Sequence, residues 1–319
     1  MHKLSRLIGI AACAAAFAAA GCSSNSGVTP ATGLPMTAQQ QAASNQGWIH
    51  ENGVTYHVPH YMGTVSMQRP TVKPNAKLTY GNGPVLVTPK AYVIFWGFKT
   101  YGDRHNVRAL LKNYVENMGG SGHNNIYTQY YQIVKSVKTF ITNPSDQGDK
   151  SSIWSDNTTP VPAHPSDAQV AAEALVGVAH FGYNPNGSYV VATPHGHSTP
   201  GFGSQFCAYH SATTYNSQLV SYTNLPYMPD QGTNCGSNFI GHPSDETGAD
   251  EGVTIVEGHE YGESVTDPNP PSGWYDFPDQ QEIGDLCAWT NVLNDPFGTF
   301  SYTSQPMFSN ATSSCVHTF

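Results

Sequence analysis

Charged side chains are scarce in this 319-residue chain, at 11% of positions, and its 13 lysines and arginines form no cluster. Nothing in such a pattern would displace counterions from a phosphate backbone, so no nucleic acid is expected as a partner. No apolar stretch is long enough for a permanent transmembrane helix. The six cysteines include no CxxC pair, which argues against a zinc-ribbon type of site. Gly201-Phe202-Gly203-Ser204-Gln205 is not a GxSxG elbow, and no Ser/His/Asp order stands out. No internal repeat is visible. What is abundant is Asn, Ser, Thr, Gly and Tyr, a neutral-polar composition common in secreted proteins.

The first residues speak to the compartment. Lys3 and Arg6 precede an Ala-rich apolar run, Leu7 to Ala20, too short to span a bilayer and therefore read as an export signal over residues 1–21. It ends in Ala19-Ala20-Gly21-Cys22, which resembles the lipobox of bacterial lipoproteins, so Cys22 is the expected lipidation site. The expected product is an exported, membrane-anchored lipoprotein, periplasmic or on the cell surface. Losing residues 1–21 removes two basic residues and no acid, which moves the formal charge from −9 to −11. Residues 22–47 then hold almost no large apolar side chain and read as a flexible tether. Residues 48–76, with Trp48, Tyr56, Tyr61 and several prolines, read as an N-terminal arm or a removable pro-segment. With Cys13 lost and Cys22 lipidated, Cys207, Cys235, Cys287 and Cys315 remain. In an oxidising compartment they admit three connectivities, of which Cys207–Cys235 and Cys287–Cys315 close the shortest loops. Cys207 beside His210 also suggests a thiol enzyme, a reading that disulfide formation would remove.

Residues 77–319 carry the folded domain, expected to be α+β with a mixed sheet and packed helices. Ala91–Trp96 is β-branched and aromatic and predicts a buried strand. Val107, Leu110, Leu111, Tyr114, Val115 and Met118 recur at helical spacing and stop at Gly119-Gly120. Ile126–Val137 predicts a second helix, and Ser166-Asp167 caps a third that runs to about Phe181. Tyr189–Ala192 and Gln218–Tyr222 read as strands. A further helix is expected from about Asp250 to Thr266, with Pro268 closing it.

That last helix bears the chemistry. His259 and Glu263 are one turn apart and share a face, so they can hold one metal ion from one side. Glu260 lies next to the first of them, placed to take a proton from the attacking water, which is the logic of the HExxH metallohydrolase helix with glutamate for its second histidine. Glu282 follows Glu263 by 19 positions, a spacing similar to that of zincins, and is the expected third ligand, with Asp285 as its orienting partner. His210, His195 and His197 compete for the third place, and His210 is also a candidate to stabilise an oxyanion. The single cofactor expected is Zn²⁺, with Ca²⁺ and Mn²⁺ as carboxylate-compatible alternatives. A solvated helix face with a histidine and two glutamates is the bland reading of the same residues. Acids clustered beside Trp274 and Tyr275 (Asp276, Asp279, Glu282, Asp285) leave glycoside hydrolysis open as well. Gly258 and Gly262 each cost about 1 kcal/mol relative to alanine in a helix, which predicts that another backbone packs closely there.

Several segments together carry a family likeness. Leu78-Thr79-Tyr80-Gly81-Asn82-Gly83-Pro84-Val85-Leu86 leading into Tyr92–Gly97, then Phe206-Cys207-Ala208-Tyr209-His210-Ser211, Val265-Thr266-Asp267-Pro268 and the Glu282-to-Cys287 stretch resemble the EXORDIUM-like, phosphate-induced protein 1 family. The likeness runs from about residue 78 to 290. It implies an extracellular domain, and its microbial branch resembles this chain in the HExxE helix, whereas plant members have small or apolar residues there. Two functions follow from it. One is a zincin-like metal-dependent hydrolase acting on a peptide or a cell-surface polymer; the other is a non-catalytic cell-surface binding or signalling protein.

Overall fold

Strand Lys90–Phe95 lies one place in from an edge of the main sheet, and four of its six side chains are buried, as expected of a strand covered on both faces. The computed structural model describes residues 47–67, 76–241 and 245–319. The expected export signal, the lipidation site Cys22 and the tether as far as residue 46 lie outside the described residues.

The main sheet has eight strands: β1 (Trp48–Glu51), β2 (Val54–His57), β3 (His60–Met62), β4 (Lys90–Phe95), β5 (Ile153–Trp154), β6 (Gly187–Ala192), β7 (Ala208–Tyr215) and β8 (Gln218–Leu225). In space they run β1-β2-β7-β8-β6-β4-β5, with β3 also paired to β7. The segment from β8 to β5 is parallel, whereas β7 is antiparallel to all its neighbours, so the sheet is mixed. Three helices cover it: α1 (Val107–Met118), α2 (Asp167–Phe181) and α3 (Glu251–Thr266). The chain is α+β with a mixed sheet, as its pattern of elements suggests.

Local chemistry accounts for these elements. In α1 the apolar spacing buries Val107, Leu111, Tyr114, Val115 and Met118 on one side. At the start of α2 Ser166 and Gln169 form a reciprocal capping box, satisfying two backbone donors that a helix start otherwise leaves open. The helix expected over Ile126–Val137 is absent. In its place stand a short 3-10 turn, Asn124–Gln129, and a hairpin of strands Tyr131–Val134 and Val137–Phe140. Lys135 and Ser136 both have positive φ, 48° and 66°, which matches the twist of a two-residue hairpin turn and ends any helix.

The two long helices lie on opposite faces of the sheet. Side chains alternate along a strand, and Tyr209 of β7 donates its hydroxyl to Asp167 of α2 at 2.8 Å. The next residue, His210, therefore points the other way, towards α3, and reaches its glutamates. The far side of α3 is covered by strand Phe300–Ser304, whose Thr303 carbonyl accepts from Thr254 at 2.7 Å. Sandwiched in this way, α3 is buried at every position from Glu251 to Thr266. It is not a solvated face.

Residues 47–67 form part of the sheet. β3 pairs with β7 in the register His60↔His210 and Tyr61↔Tyr209, while β2 pairs at Tyr56↔Thr213. Three positions separate the two β7 residues, but four separate Tyr56 from His60, so the arm carries one extra residue at Val58-Pro59: a β-bulge.

Candidate metal centre

Three segments converge over the α3 face of β7. From α3 come His259, Glu260 and Glu263, which the helical period brings to one side. From the sheet come His210 and, directly opposite it across the β3–β7 pair, His60; cross-strand partners share a face, so both imidazoles point at α3. From the loop after strand Trp274–Tyr275 come Glu282 and Asp285.

This loop is held from several directions. Glu282 N–H donates to Asp285 Oδ2 at 3.1 Å, and Asp285 N–H donates to Glu263 Oε1 at 3.1 Å. Gln305 donates to the Gly284 carbonyl at 2.9 Å. Gly284 lies flat against His259: a Cβ there would stand 2.8–2.9 Å from the imidazole ring, so only glycine lets the loop approach. The disulfide Cys287–Cys315 fastens the loop just beyond Asp285, and Cys207–Cys235 fastens β7 three residues before His210. Both expected pairings are present, and with Cys207 oxidised the thiol-enzyme reading falls.

The distances define an overlapping set. His259 Nε2 is 3.0 Å from Glu263 Oε1 and 3.8 Å from Asp285 Oδ1. His210 Nδ1 is 3.3 Å from Glu263 Oε2 and 3.4 Å from Glu260 Oε2. His60 Nε2 is 2.7 Å from Asp285 Oδ2 and 3.4 Å from Glu282 Oε2. Among the described residues three triads bring ligand atoms within 4.8 Å of one another: His259-Glu263-Asp285, His210-Glu260-Glu263 and His60-Glu263-Glu282. Glu263 belongs to all three.

Two features of this arrangement differ from the spacing-based expectation. His259 and Glu282 fall in different triads, each with Glu263, and Asp285 sits among the ligand atoms beside His259. His60 was not anticipated at all. His195 and His197 belong to none of the triads; His195 pairs with Asp230, and His197 packs its ring at a tilt against Tyr101.

Burial is nearly complete. The side chains of His210, His259, Glu260, Glu263 and Glu282 are all fully buried, and only His60 (19%) and Asp285 (13%) retain exposure. Those two form one wall of a cleft of about 430 Å³, lined also by Tyr61, Phe206, Gln281 and Trp289. Inside, His210 Nδ1, His259 Nε2, Glu263 Oε2 and both oxygens of Glu260 and of Glu282 make no well-formed hydrogen bond. A buried polar atom left in that state costs about 1–3 kcal/mol. These atoms face one another as imidazole–carboxylate pairs at 3.0–3.5 Å.

Burial, the largest influence on each imidazole, works to keep it neutral, and the carboxylates outweigh it. His60 is pushed up to about 10 by Glu282 and Asp285, and His259 up to about 9 by Glu263. His210 is also raised, chiefly by Glu282 once burial is overcome. Burial pushes Glu260 up to about 7 against the pull of His210 and His259. It raises Glu282 as well, whereas His259 and His210 reverse its effect on Glu263 and hold that carboxyl below its usual range. His210 Nε2 lies 3.3 Å from the Asp267 carbonyl, which orients the ring and turns Nδ1 to Glu260 and Glu263.

Imidazole nitrogens and carboxylate oxygens in one buried cluster suit a transition-series divalent cation such as Zn²⁺ or Mn²⁺; an all-oxygen cage would suit Ca²⁺ better. No protein-family model, curated protein or solved structure matches this chain. The functional reading therefore rests on the side chains themselves.

The expectation that a backbone packs against Gly258 and Gly262 does not hold. A Cβ on Gly258 would stand 2.7 Å from the Tyr114 hydroxyl and one on Gly262 2.9 Å from that of Tyr127, so these glycines make room for tyrosine side chains. The close backbone approach is at Gly252, against the carbonyl of Cys235.

Proposed function

We propose that this chain is an exported metal-dependent hydrolase of the EXORDIUM-like type, acting on peptide bonds, with α3 as a zincin-like active-site helix. The observation that carries the proposal is the convergence of buried, hydrogen-bond-deficient imidazole and carboxylate atoms around Glu263. His259, Glu263 and Asp285 would hold the cation, with Glu282 in the adjoining triad. A divalent cation bound there would supply Lewis acidity, polarising a carbonyl and making a water easier to deprotonate.

The remaining residues divide the work around it. Glu260, next to the ligand His259 on the helix and 3.4 Å from His210 Nδ1, is placed to take a proton from the attacking water and return it to the leaving group. His210, held by the Asp267 carbonyl, keeps Glu260 oriented and places positive charge where an oxyanion would develop. The cleft beside His60 and Asp285 offers aromatic rings and glutamine amides in place of strong charge, a surface suited to a neutral peptide backbone.

The test pairs metal content with turnover. The purified chain is expected to hold zinc stoichiometrically by mass spectrometry and to cleave members of a peptide library. Glu260→Gln should keep the metal and lose about 10²–10⁴-fold in rate; Glu263→Ala should lose the metal. Metal retained in a chain that cleaves nothing, with Glu260→Gln indistinguishable from wild type, would leave the binding or signalling reading in its place.

A further inference from the structure

Two carboxylates in the cluster face two ways. Glu263 presents Oε1 to His259 at 3.0 Å and Oε2 to His210 at 3.3 Å. Asp285 presents Oδ1 to His259 at 3.8 Å and Oδ2 to His60 at 2.7 Å. A carboxylate shared between two cations spreads its oxygens between two sets of donors in this way. His60, supplied by the arm, also reaches Glu282 at 3.4 Å, and these two with Glu263 make a triad separate from His259-Glu263-Asp285.

Charge points the same way. Glu260, Glu263, Glu282 and Asp285 together carry four negative charges when ionised, and three of the four are completely buried. One divalent cation with neutral ligand imidazoles leaves one of these charges uncompensated even when His210 is protonated, and a buried unpaired charge is strongly unfavourable. Two divalent cations balance all four. Glu282 Oε1 and Oε2, in the triad that His259 does not reach, are buried without a hydrogen bond, so the second group of donors has unmet demand of its own.

We propose that the centre is binuclear: one divalent cation held by His259, Glu263 and Asp285, a second by His60, Glu282 and Glu263, with Glu263 and Asp285 as bridges. His210 and Glu260 then stay outside the ligand set as the positioning and proton-transfer pair. Paired cations of this kind clamp the two ends of a substrate displacement, consistent with hydrolysis. The proposal rests on the metal-dependent reading above and extends it in number and in the use of His60.

Metal counting on the full chain separates the two claims. Stripped protein is titrated with Zn²⁺ in a competing chelator buffer, then assayed for metal per chain. Two ions are expected, falling to one in His60→Ala, with the His259 triad still loaded. Loaded with Mn²⁺, wild type should give the electron paramagnetic resonance spectrum of a spin-coupled pair, and His60→Ala that of an isolated ion. One ion per saturated wild-type chain with an uncoupled Mn²⁺ spectrum overturns the binuclear centre and leaves the hydrolase proposal standing; no ion at all overturns both. If His60→Ala misfolds by circular dichroism, the wild-type count and spectrum decide alone.

Discussion

Glu173 sits on the inner side of α2 with both carboxyl oxygens buried, and burial, reinforced by Asp156 beside it, pushes its pKa up to about 8 from an ordinary value of 4.5. Between those two values the folded chain keeps a proton that the unfolded chain releases. Stability is therefore full below the window and falls as pH rises towards about 8. Replacing Glu173 by glutamine removes this dependence: urea midpoints of wild type and Glu173→Gln should nearly coincide at pH 4.5 and separate in favour of the variant by pH 9. Equal midpoints at both pH values would show that Glu173 is ionised at little cost inside the fold. At this scale the reactive side chains were unevenly legible. His259, Glu260 and Glu263 declare themselves by a one-turn spacing, and Glu282 and Asp285 by their distance from it. His60 does not, because its partners are 150 and more positions away and a three-residue strand has no period from which a facing can be read.

Among the elements, α3 is specified by tight approach as much as by helix propensity. Gly252, in its first turn, would bring a Cβ to 1.9 Å from the Cys235 carbonyl, which is fixed by the Cys207–Cys235 bridge. Backbone cannot yield there as a flexible side chain would, so Gly252→Ala is expected to cost about 1–3 kcal/mol or more, as overpacking does. Thermal unfolding checks it, and an unchanged midpoint would mean that α3 can slide along the sheet. The helix was legible because its acids, glycines and closing proline bracket it. The segment Ile126–Val137 was not: its apolar spacing fits a helix, and only the pair of positive-φ residues at Lys135-Ser136, neither of them glycine or asparagine, reveals a hairpin. The burial of α3 was equally invisible, since the strand that covers it, Phe300–Ser304, lies near the far end of the chain.

For the molecule as a whole, the arm decides whether the sheet is finished. β2 and β3 occupy the edge of β7, and without them that strand would offer its backbone to other chains. Deleting residues 47–67 is therefore expected to raise the apparent mass in light scattering as well as to remove one cation. His60→Ala should remove the cation alone. A truncated chain that stays monomeric would favour the reading of this segment as a removable pro-segment.

The bulge at Val58-Pro59 decides which side of the sheet receives His60. Were the same residues paired without it, the register continued from Tyr56↔Thr213 would set Pro59 against His210 and turn His60 to the α2 side of the sheet. A single-codon deletion between Tyr56 and His60 would leave three positions facing three, so that regular pairing still sets His60 against His210 and the centre keeps every ligand. The two anchor pairings, more than the number of residues strung between them, are what this part of the site inherits.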